Sequence, residues 1–333
     1  MRYHRVRFSD LARALGRAVL LLWCVLSLTF ALLRLAPGDP ATFLLPPGAS
    51  ASDGARMRME LGLDRPMAVQ YAQWLRASLG GHLGVSFVDR RPVQAVIADA
   101  LPVSLALGGA SLVLSFVVGI AIGLFQASRK GTRADVMLTI ASVLLVASPA
   151  YWLGLGAIAC FTYLASSWSL PLMMRLPAIG MTTPGAALSG WPHLADLLRH
   201  SILPVTLLAA IGAGGVARYV RTGALDAVGA DWMRTARAKG ASDWRVFRHH
   251  LLANLRAPML TLFALALPGT VAGSVFVETI FAWPGMGRLM VTSIVGRDYP
   301  VVMGCAAAFA LLVILANLTA EALLPWADPR TRG

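Results

Sequence analysis

The dominant pattern along the chain is a series of long, uncharged apolar runs separated by polar segments. A helix needs about 20 apolar residues to cross the hydrocarbon core of a bilayer, and these runs approach or exceed that length. They predict an all-α membrane protein with about six transmembrane helices, at Ala18–Leu33, Ala100–Ser128, Val136–Tyr163, Ser201–Ala217, Ala257–Val277 and Val301–Ala320.

Two of the runs contain residues that shape a helix locally. Ser148 and Pro149 predict a kink in the third run, because proline removes a backbone hydrogen bond that lipid cannot replace. Gly212, Gly214 and Gly215 predict that another helix approaches the fourth run closely.

The first run follows a basic N-terminus, a combination that also fits a cleaved signal peptide. A retained span is favoured for two reasons: more spans follow, and Arg34 can extend its side chain to the interface if the run continues to Ala36.

The polar segments predict how the chain is organised. Residues 37–99 contain turn signals, nearly balanced charges and two short helices near Ala51–Leu61 and Met67–Leu79, which suits a small external subdomain. The predicted regions are the N-terminus with the first span (1–36), the external subdomain (37–99), a five-helix core (100–324) with a cytoplasmic loop (218–256) and an external loop (278–299), and a cytoplasmic tail (325–333).

Composition and charge agree with a membrane protein. The mean hydropathy is +0.67, and only 14% of the residues are charged. The net charge of +13 is explained by membrane topology and does not indicate nucleic-acid binding. Of the 29 Lys and Arg residues, 18 lie in the two termini and in the loops on the same side of the membrane, although that side has fewer residues than the other. The positive-inside rule therefore predicts that both termini and the 218–256 loop are cytoplasmic.

Several kinds of chemistry are missing from the sequence. The apolar runs hold almost no ionisable residues, with Glu321 near the end of the last one, whereas coupled transporters place such groups at mid-membrane. No phosphate-binding loop or H-E-x-x-H metal motif occurs, and the three cysteines lie singly in apolar runs. The sequence predicts a non-catalytic subunit without metal or cofactor. The alternative is a self-contained channel or secondary transporter.

The 218–256 loop has the features of a docking segment. Asp231 can cap a short helix, and Gly240 can end it in the left-handed conformation. Ser242 can then cap a second helix whose apolar face is expected to pack against the bundle; its members are Trp244, Phe247, Leu251 and Leu255.

Asp231 to Gly240 reads D-W-M-R-T-A-R-A-K-G, which resembles the "EAA" loop of ABC-importer permeases. Further matches run along most of the chain, including LLRLAPGDPA at 32–41, HSILPVTLL at 200–208, VETIFAWPGMGRL at 277–289 and RDYPVV at 297–302. Together they resemble the inner-membrane permeases of dipeptide, oligopeptide and nickel ABC importers, specifically the first of two paralogous permeases.

The resemblance implies a type I ABC-importer permease fold and a set of partners. These are a second, related permease in a heterodimer, two ABC ATPase subunits that bind ATP and Mg²⁺, an external substrate-binding protein and the lipid of the inner membrane. It implies import of di- or oligopeptides or a related small solute.

The resemblance also assigns residues to ATPase coupling: Asp231, Arg234, Thr235, Ala236, Arg237, Ala238, Lys239, Gly240 and Ser242. Arg234 stands where the wider family has Glu, so residue roles cannot be taken from sugar importers. The basic residues fit acidic groups on the ATPase and lipid headgroups equally well. Ala236 fits close approach to a groove, or an ordinary helix alanine.

A second motif predicts a tight turn at the external face, at Glu278, Phe281, Trp283, Pro284 and Gly285. The two aromatic residues fit a plug of the external mouth or a plain aromatic belt at the interface. For Glu278 three interpretations stay open: a contact with the binding protein, a gate residue, or a partner for a cationic peptide terminus.

Overall fold

A computed structural model shows how these segments fold. It describes residues 8–35, 41, 45, 48–171, 174–229, 231–240, 242, 251–272 and 274–327. The fold is all-α. Its helices are α1 Phe8–Leu35, α2 Ala51–Glu60, α3 Met67–Leu79, α4 Val93–Ser128, α5 Arg133–Ala147, α6 Ala150–Ile158, a π-helix Ala159–Leu164, α7 Ala165–Ser167, α8 Trp191–Gly229, α9 Asp231–Ala238, α10 Leu252–Ala272, α11 Val275–Ile280, α12 Met286–Val295 and α13 Tyr299–Ala327.

The prediction of about six apolar helices is confirmed. Five helical segments in the described part of the chain are long and apolar enough to cross a membrane: Gly16–Leu35, Val93–Ser128, Ala150–Ser167, Trp191–Ala227 and Tyr299–Glu321. The predicted fifth span corresponds to a shorter apolar helix, Leu255–Thr270. This segment is part of α10, and Pro258 and Pro268 lie within it.

The third apolar run is interrupted where the sequence predicted a kink. α5 ends at Ala147, Ser148 is extended (φ −79°, ψ 135°), and α6 begins after Pro149. Beyond α6 the helix widens into the π-helix, where a neighbouring loop binds it. Leu176 donates its N–H to the carbonyl of Phe161 (2.9 Å), and the hydroxyl of Thr162 donates to the carbonyl of Leu176 (2.8 Å).

Several helices differ from the expected element bounds. α1 and α4 begin earlier than predicted, at Phe8 and Val93, and α13 continues to Ala327. α8 extends well beyond the predicted span Ser201–Ala217 on both sides. Hydropathy marks only the apolar middle of a helix, whereas hydrogen bonding continues through polar turns. The predicted connection Glu278–Tyr299 contains α12, which the Pro-Gly and Gly signals around it concealed.

The chain divides into two compact units, and unit 1 comprises Met1–Val103 and Gly285–Ile314. The predicted short helices are confirmed as α2 and α3. α2 begins with a capping box, in which Ser50 and Asp53 satisfy each other's backbone N–H groups. α3 contacts α1 through the rings of Tyr71 and Phe30, 5.2 Å apart, and through a 2.6 Å hydrogen bond between the hydroxyls of Tyr71 and Ser27.

A buried carboxylate fixes the segment before α4 within unit 1. Asp298 is 3% exposed and accepts hydrogen bonds from the hydroxyl of Ser86 and from the N–H groups of Phe87 (3.0 Å) and Val88 (3.3 Å). One side chain of the RDYPVV motif therefore holds a loop that lies more than 200 positions earlier in the chain.

Unit 2 comprises Ser104–Pro284 and Leu315–Gly333. α5 is apolar outward and polar inward, since Val136, Met137 and Ile140 are exposed whereas Asp135 and Ser142 are buried. This arrangement is typical of a helix that faces lipid or another membrane subunit.

α4 and α8 pack closely in unit 2. A Cβ on Gly123 would lie 2.5 Å from the carbonyl oxygen of Ala217 and 2.7 Å from Cβ of Val220. The predicted approach to the glycines of α8 is also present, since a Cβ on Gly212 would lie 3.0 Å from Ser115, and one on Gly214 3.1 Å from the carbonyl oxygen of Ser142. Small residues on both sides let the backbones meet.

We expect Gly123→Ala to destabilise the protein by about 1–3 kcal/mol, because its methyl group overlaps backbone that cannot move independently. Gly109→Ala is the matched control, since a Cβ at that position of the same helix meets no atom within 4 Å. The thermal midpoint of the purified protein in detergent measures both effects. Equal midpoints for the two variants would contradict the close α4–α8 contact.

Candidate functional site

The predicted loop 218–256 begins on α8 and contains α9. α8 ends at Gly229, and α9 starts at Asp231. Asp231 is thus the first residue of the helix, whereas the sequence predicted that it would be the N-cap, one position earlier. The acidic side chain in this first turn is favoured by the free N–H groups of the helix start. The hydroxyl of Thr235 donates to the carbonyl of Asp231 (2.9 Å).

Gly240 ends this helical segment in the left-handed conformation, as predicted, with φ +77°. Just before it, the N–H of Lys239 donates to the carbonyl of Thr235 (3.1 Å). A Cβ on Gly240 would meet no atom within 4 Å, so the preference for glycine comes from the backbone angle and not from crowding.

Among the side chains of α9 that the structure describes, Met233 is buried and the others are exposed. Met233 is 2% exposed and belongs to a core cluster that includes Ala224, Ala227, Leu251 and Leu255. The exposed predicted coupling residues are Asp231, Thr235, Ala238, Lys239, Gly240 and Ser242. A short helix anchored on one side and exposed on the other suits contact with a partner.

The structure describes the remaining residues of the predicted docking segment only in part. Arg234, Ala236 and Arg237 lie within α9. Leu251 and Leu255 of the predicted second helix are buried, as expected for its apolar face. The predictions for Trp244 and Phe247 lie outside the described residues.

The external motif is anchored by Glu278, which lies in α11 and is fully buried. The hydroxyls of Ser104 and Ser274 each donate a 2.7 Å hydrogen bond to its Oε1 atom. In this structure the carboxylate therefore faces α4 and its own helix and not the surface. Its three sequence-based roles stay predictions.

The turn after α11 carries the two aromatic residues into the protein. Phe281 is 1% exposed in a cluster with Ile158, Leu203 and Val277, and its carbonyl accepts the N–H of Gly180 (2.8 Å). Neither aromatic residue is exposed as a plain belt residue would be, since Trp283 is also buried.

The turn itself is tight. The N–H of Trp283 donates to the carbonyl of Glu278 (2.7 Å), and Ala282 has a left-handed φ of 49°, which is costly for a residue with a side chain. Pro284 follows, and Gly285 precedes α12. The motif predicted that the Pro284–Gly285 pair makes the turn. The structure places the tight turn just before that pair, at Phe281 and Ala282, and Gly285 is extended (φ −97°, ψ −178°).

Sequence reasoning missed the hydroxyls that satisfy the buried carboxylate. Ser104 and Ser274 are each 1% exposed, in segments otherwise dominated by apolar residues. Isolated serines inside apolar runs are a usable signal, because a buried acid in a membrane protein needs donors from neighbouring helices.

A cavity of about 460 Å³ lies between α4, α8 and α10, within unit 2. Its wall combines apolar side chains with small and hydroxyl-bearing residues, among them Gly108, Ser111, Gly212, Tyr219 and Thr270. No charged side chain lines it among the described residues. The described residues also contain no cluster of three or more His, Cys, Asp or Glu side chains that could hold a metal ion.

Comparison with known proteins identifies the family. Residues 119–333 match the binding-protein-dependent transport system inner membrane component, and residues 6–108 match the N-terminal part of such membrane components. The chain belongs to this permease family. It is therefore a multi-pass inner-membrane subunit of an ABC importer, as the resemblance of its motifs implied.

Full-length relatives of this permease include proteins with peptide-transport names. This chain is 36% identical over 304 residues to the oligopeptide transport system permease protein AppB of Bacillus subtilis, and the match covers 91% of this chain and 92% of the relative. It is 35% identical over 319 residues to the probable D,D-dipeptide transport system permease protein DdpB of Escherichia coli, covering 94% of each.

The fold of the permease is also found in a solved transporter. The inward-facing MetNI methionine ABC transporter matches with a TM-score of 0.52 and 16% identity, over 71% of this chain and 97% of that chain. This likeness confirms the type I ABC-importer permease fold.

We expect Glu278→Ala to destabilise the permease by about 1–3 kcal/mol, because it leaves two buried hydroxyls without their acceptor. Glu278→Gln is the control, since its amide oxygen can still accept from Ser104 and Ser274. Thermal midpoints in detergent compare the two. A Glu278→Ala protein as stable as the wild type would contradict the anchoring role of this carboxylate.

Proposed function

We propose that this permease is a pore-forming subunit of an ATP-driven importer of di- or oligopeptides, coupled to a separate ATPase through α9. The observation that carries the coupling proposal is the exposed face of α9, which is fixed to the core by Met233 and ended by a left-handed Gly240. The printed names of the relatives from Bacillus subtilis and Escherichia coli support peptides as the substrate class.

The proposed assembly contains four kinds of protein. This chain pairs with a second, related permease, and a substrate-binding protein delivers the peptide from outside. Two ATPase subunits bind ATP and Mg²⁺ and hydrolyse the nucleotide, so this chain needs no cofactor of its own. The excess of Lys and Arg in the 218–256 loop and in the termini supports a cytoplasmic position for them.

Coupling would act through rigid elements. When the ATPase subunits close, they move the exposed residues of α9, and Met233 passes the displacement to the core that holds α8 and α10. Thr235 is exposed on this helix, and the exposed Lys239 follows the end of the helix. Arg234 and Arg237 add positive charge to the same short segment.

The external motif would serve as the anchor of a gate. Glu278 ties α11 to α4, and Phe281 fastens the following turn to the cluster around α6 and α8. Trp283, Pro284 and Gly285 continue the turn, so a movement of α10 and α11 would shift all of them together. In this proposal Glu278 acts from the interior and does not touch the binding protein directly.

We expect Gly240→Asp to abolish ATP-dependent uptake and to leave the permease in the membrane, because a side chain at φ +77° strains the end of the docking segment. The matched control is Gly81→Asp in the external subdomain, where φ is +80° and the space is equally open. Uptake and immunoblotting of membranes measure both variants. Normal uptake by Gly240→Asp would refute the docking assignment.

Uptake of ¹⁴C-labelled dialanine and trialanine by proteoliposomes tests the substrate class and the need for an ATPase. With the second permease, the ATPase subunits and the binding protein present, we expect accumulation of at least one peptide that requires ATP. Liposomes with this chain alone should show no flux above empty liposomes. Flux through the chain alone would establish a self-contained channel, and failure of both peptides in the complete system would contradict the peptide assignment.

A further inference from the structure

A buried ion pair joins α5 to α8. Arg221 donates two hydrogen bonds to the carboxylate of Asp135, from Nε to Oδ1 and from a terminal nitrogen to Oδ2, both at 2.8 Å. The side chain of Asp135 is 3% exposed and that of Arg221 is 29% exposed. This two-point contact fixes both distance and orientation, which a single ionic contact does not.

Asp135 also contacts the loop before α5 through its carboxylate and the end of α4 through its backbone carbonyl. The N–H of Gly131 donates to Oδ2 of Asp135 (3.0 Å). Gln126, near the end of α4, is 1% exposed, and its Nε2 atom donates to the carbonyl of Asp135 (3.2 Å) and to the hydroxyl of Thr139 (2.9 Å). Four segments of the chain therefore meet at one residue.

The Asp135 carboxylate is ionised under physiological conditions. It lies in the first turn of α5, before the apolar part of that helix. The hydrogen bonds from Arg221, and next the N–H of Gly131, lower the pKa of Asp135 to about 2. The contact is thus a permanent ion pair and not a switch near neutral pH.

The position of Arg221 relates this pair to the docking helix. Arg221 lies eight residues before the end of α8 at Gly229, about 12 Å along the helix axis, and α9 follows at Asp231. Between them, Ala224 and Ala227 belong to the same core cluster as Met233 of α9. A displacement of α9 therefore reaches the stretch of α8 that Asp135 holds.

We propose that Asp135 and Arg221 are positioning residues for coupling, which make α5 move with α8 when the ATPase moves α9. This inference rests on the proposed function. The pair fixes one register of α5 on α8, whereas close packing at Gly123 already ties α4 to α8. Without the pair, α9 and the end of α8 move while α5 lags, so ATP is hydrolysed with less transport.

The test compares uptake per ATP hydrolysed in the complete reconstituted transporter, with whichever of ¹⁴C-labelled dialanine and trialanine the wild type transports. For Asp135→Asn we expect the ratio to fall at least about five-fold, the low end of coupling factors between linked sites. Arg221→Lys keeps the charges but loses the two-point geometry, and it should lower the ratio less. Asp99→Asn is the matched control, because Asp99 pairs with Arg91 at 2.7 Å on the exposed surface.

Combination of the two changes separates positioning from general stability. The double variant Asp135→Asn, Arg221→Gln should have the ratio of the single Asp135→Asn variant, since the two residues act as one unit. If the Asp135→Asn variant assembles poorly with the ATPase subunits, the Arg221→Lys variant tests the proposal instead, through its uptake per ATP hydrolysed. Ratios equal to the wild type in assembled complexes, with only a lower thermal midpoint, would overturn the proposal and leave a structural ion pair.

The result for the wild-type complex distinguishes a failure of the positioning role from a failure of the proposed function. If the wild type transports neither peptide, the proposed function fails. If it transports one and the ratio of the variants is unchanged, only the positioning role fails.

Discussion

The close contact between α4 and α8 is the constraint on which the rest of unit 2 depends. Gly123 lies against the backbone at Ala217, and such an approach leaves no room for the helices to shift independently. α8 then carries the chain to the docking helix, and the same pair of helices lines the uncharged cavity. The small-residue contact, much of the cavity wall and the helix that leads to α9 thus lie along one pair of helices.

Polar groups supply the specificity that apolar packing lacks. Three buried carboxylates each gather segments that are distant in sequence: Asp135 within the α4–α5–α8 region, Glu278 on α11, and Asp298 in unit 1. A buried polar side chain is costly unless it is hydrogen-bonded, so each site favours a defined set of donors. These three acids therefore mark places where distant segments of the chain are held together.

Sequence patterns predicted the elements better than their ends. Apolar runs predicted the all-α membrane fold, and the local chemistry of Gly240 predicted the left-handed end of the docking segment, because a backbone angle depends on one residue. α12 was not predicted because the Pro-Gly and Gly signals around it indicated a loop. The long polar ends of α8 were not predicted because hydropathy does not register helical turns that contain polar residues. The partners of Glu278 and Asp135 were also missed, because side chains from far along the chain are brought together only by folding.

The most direct test of the role of α9 is a photo-crosslink from its exposed face. A benzoylphenylalanine placed at Thr235 in the assembled transporter should form a crosslink to an ATPase subunit, with a yield that changes when a non-hydrolysable ATP analogue is added. The same group at the exposed Leu79 of the external subdomain should form none. Absence of an ATPase crosslink from Thr235 in complexes that contain the ATPase would contradict the assignment of α9 as the coupling helix.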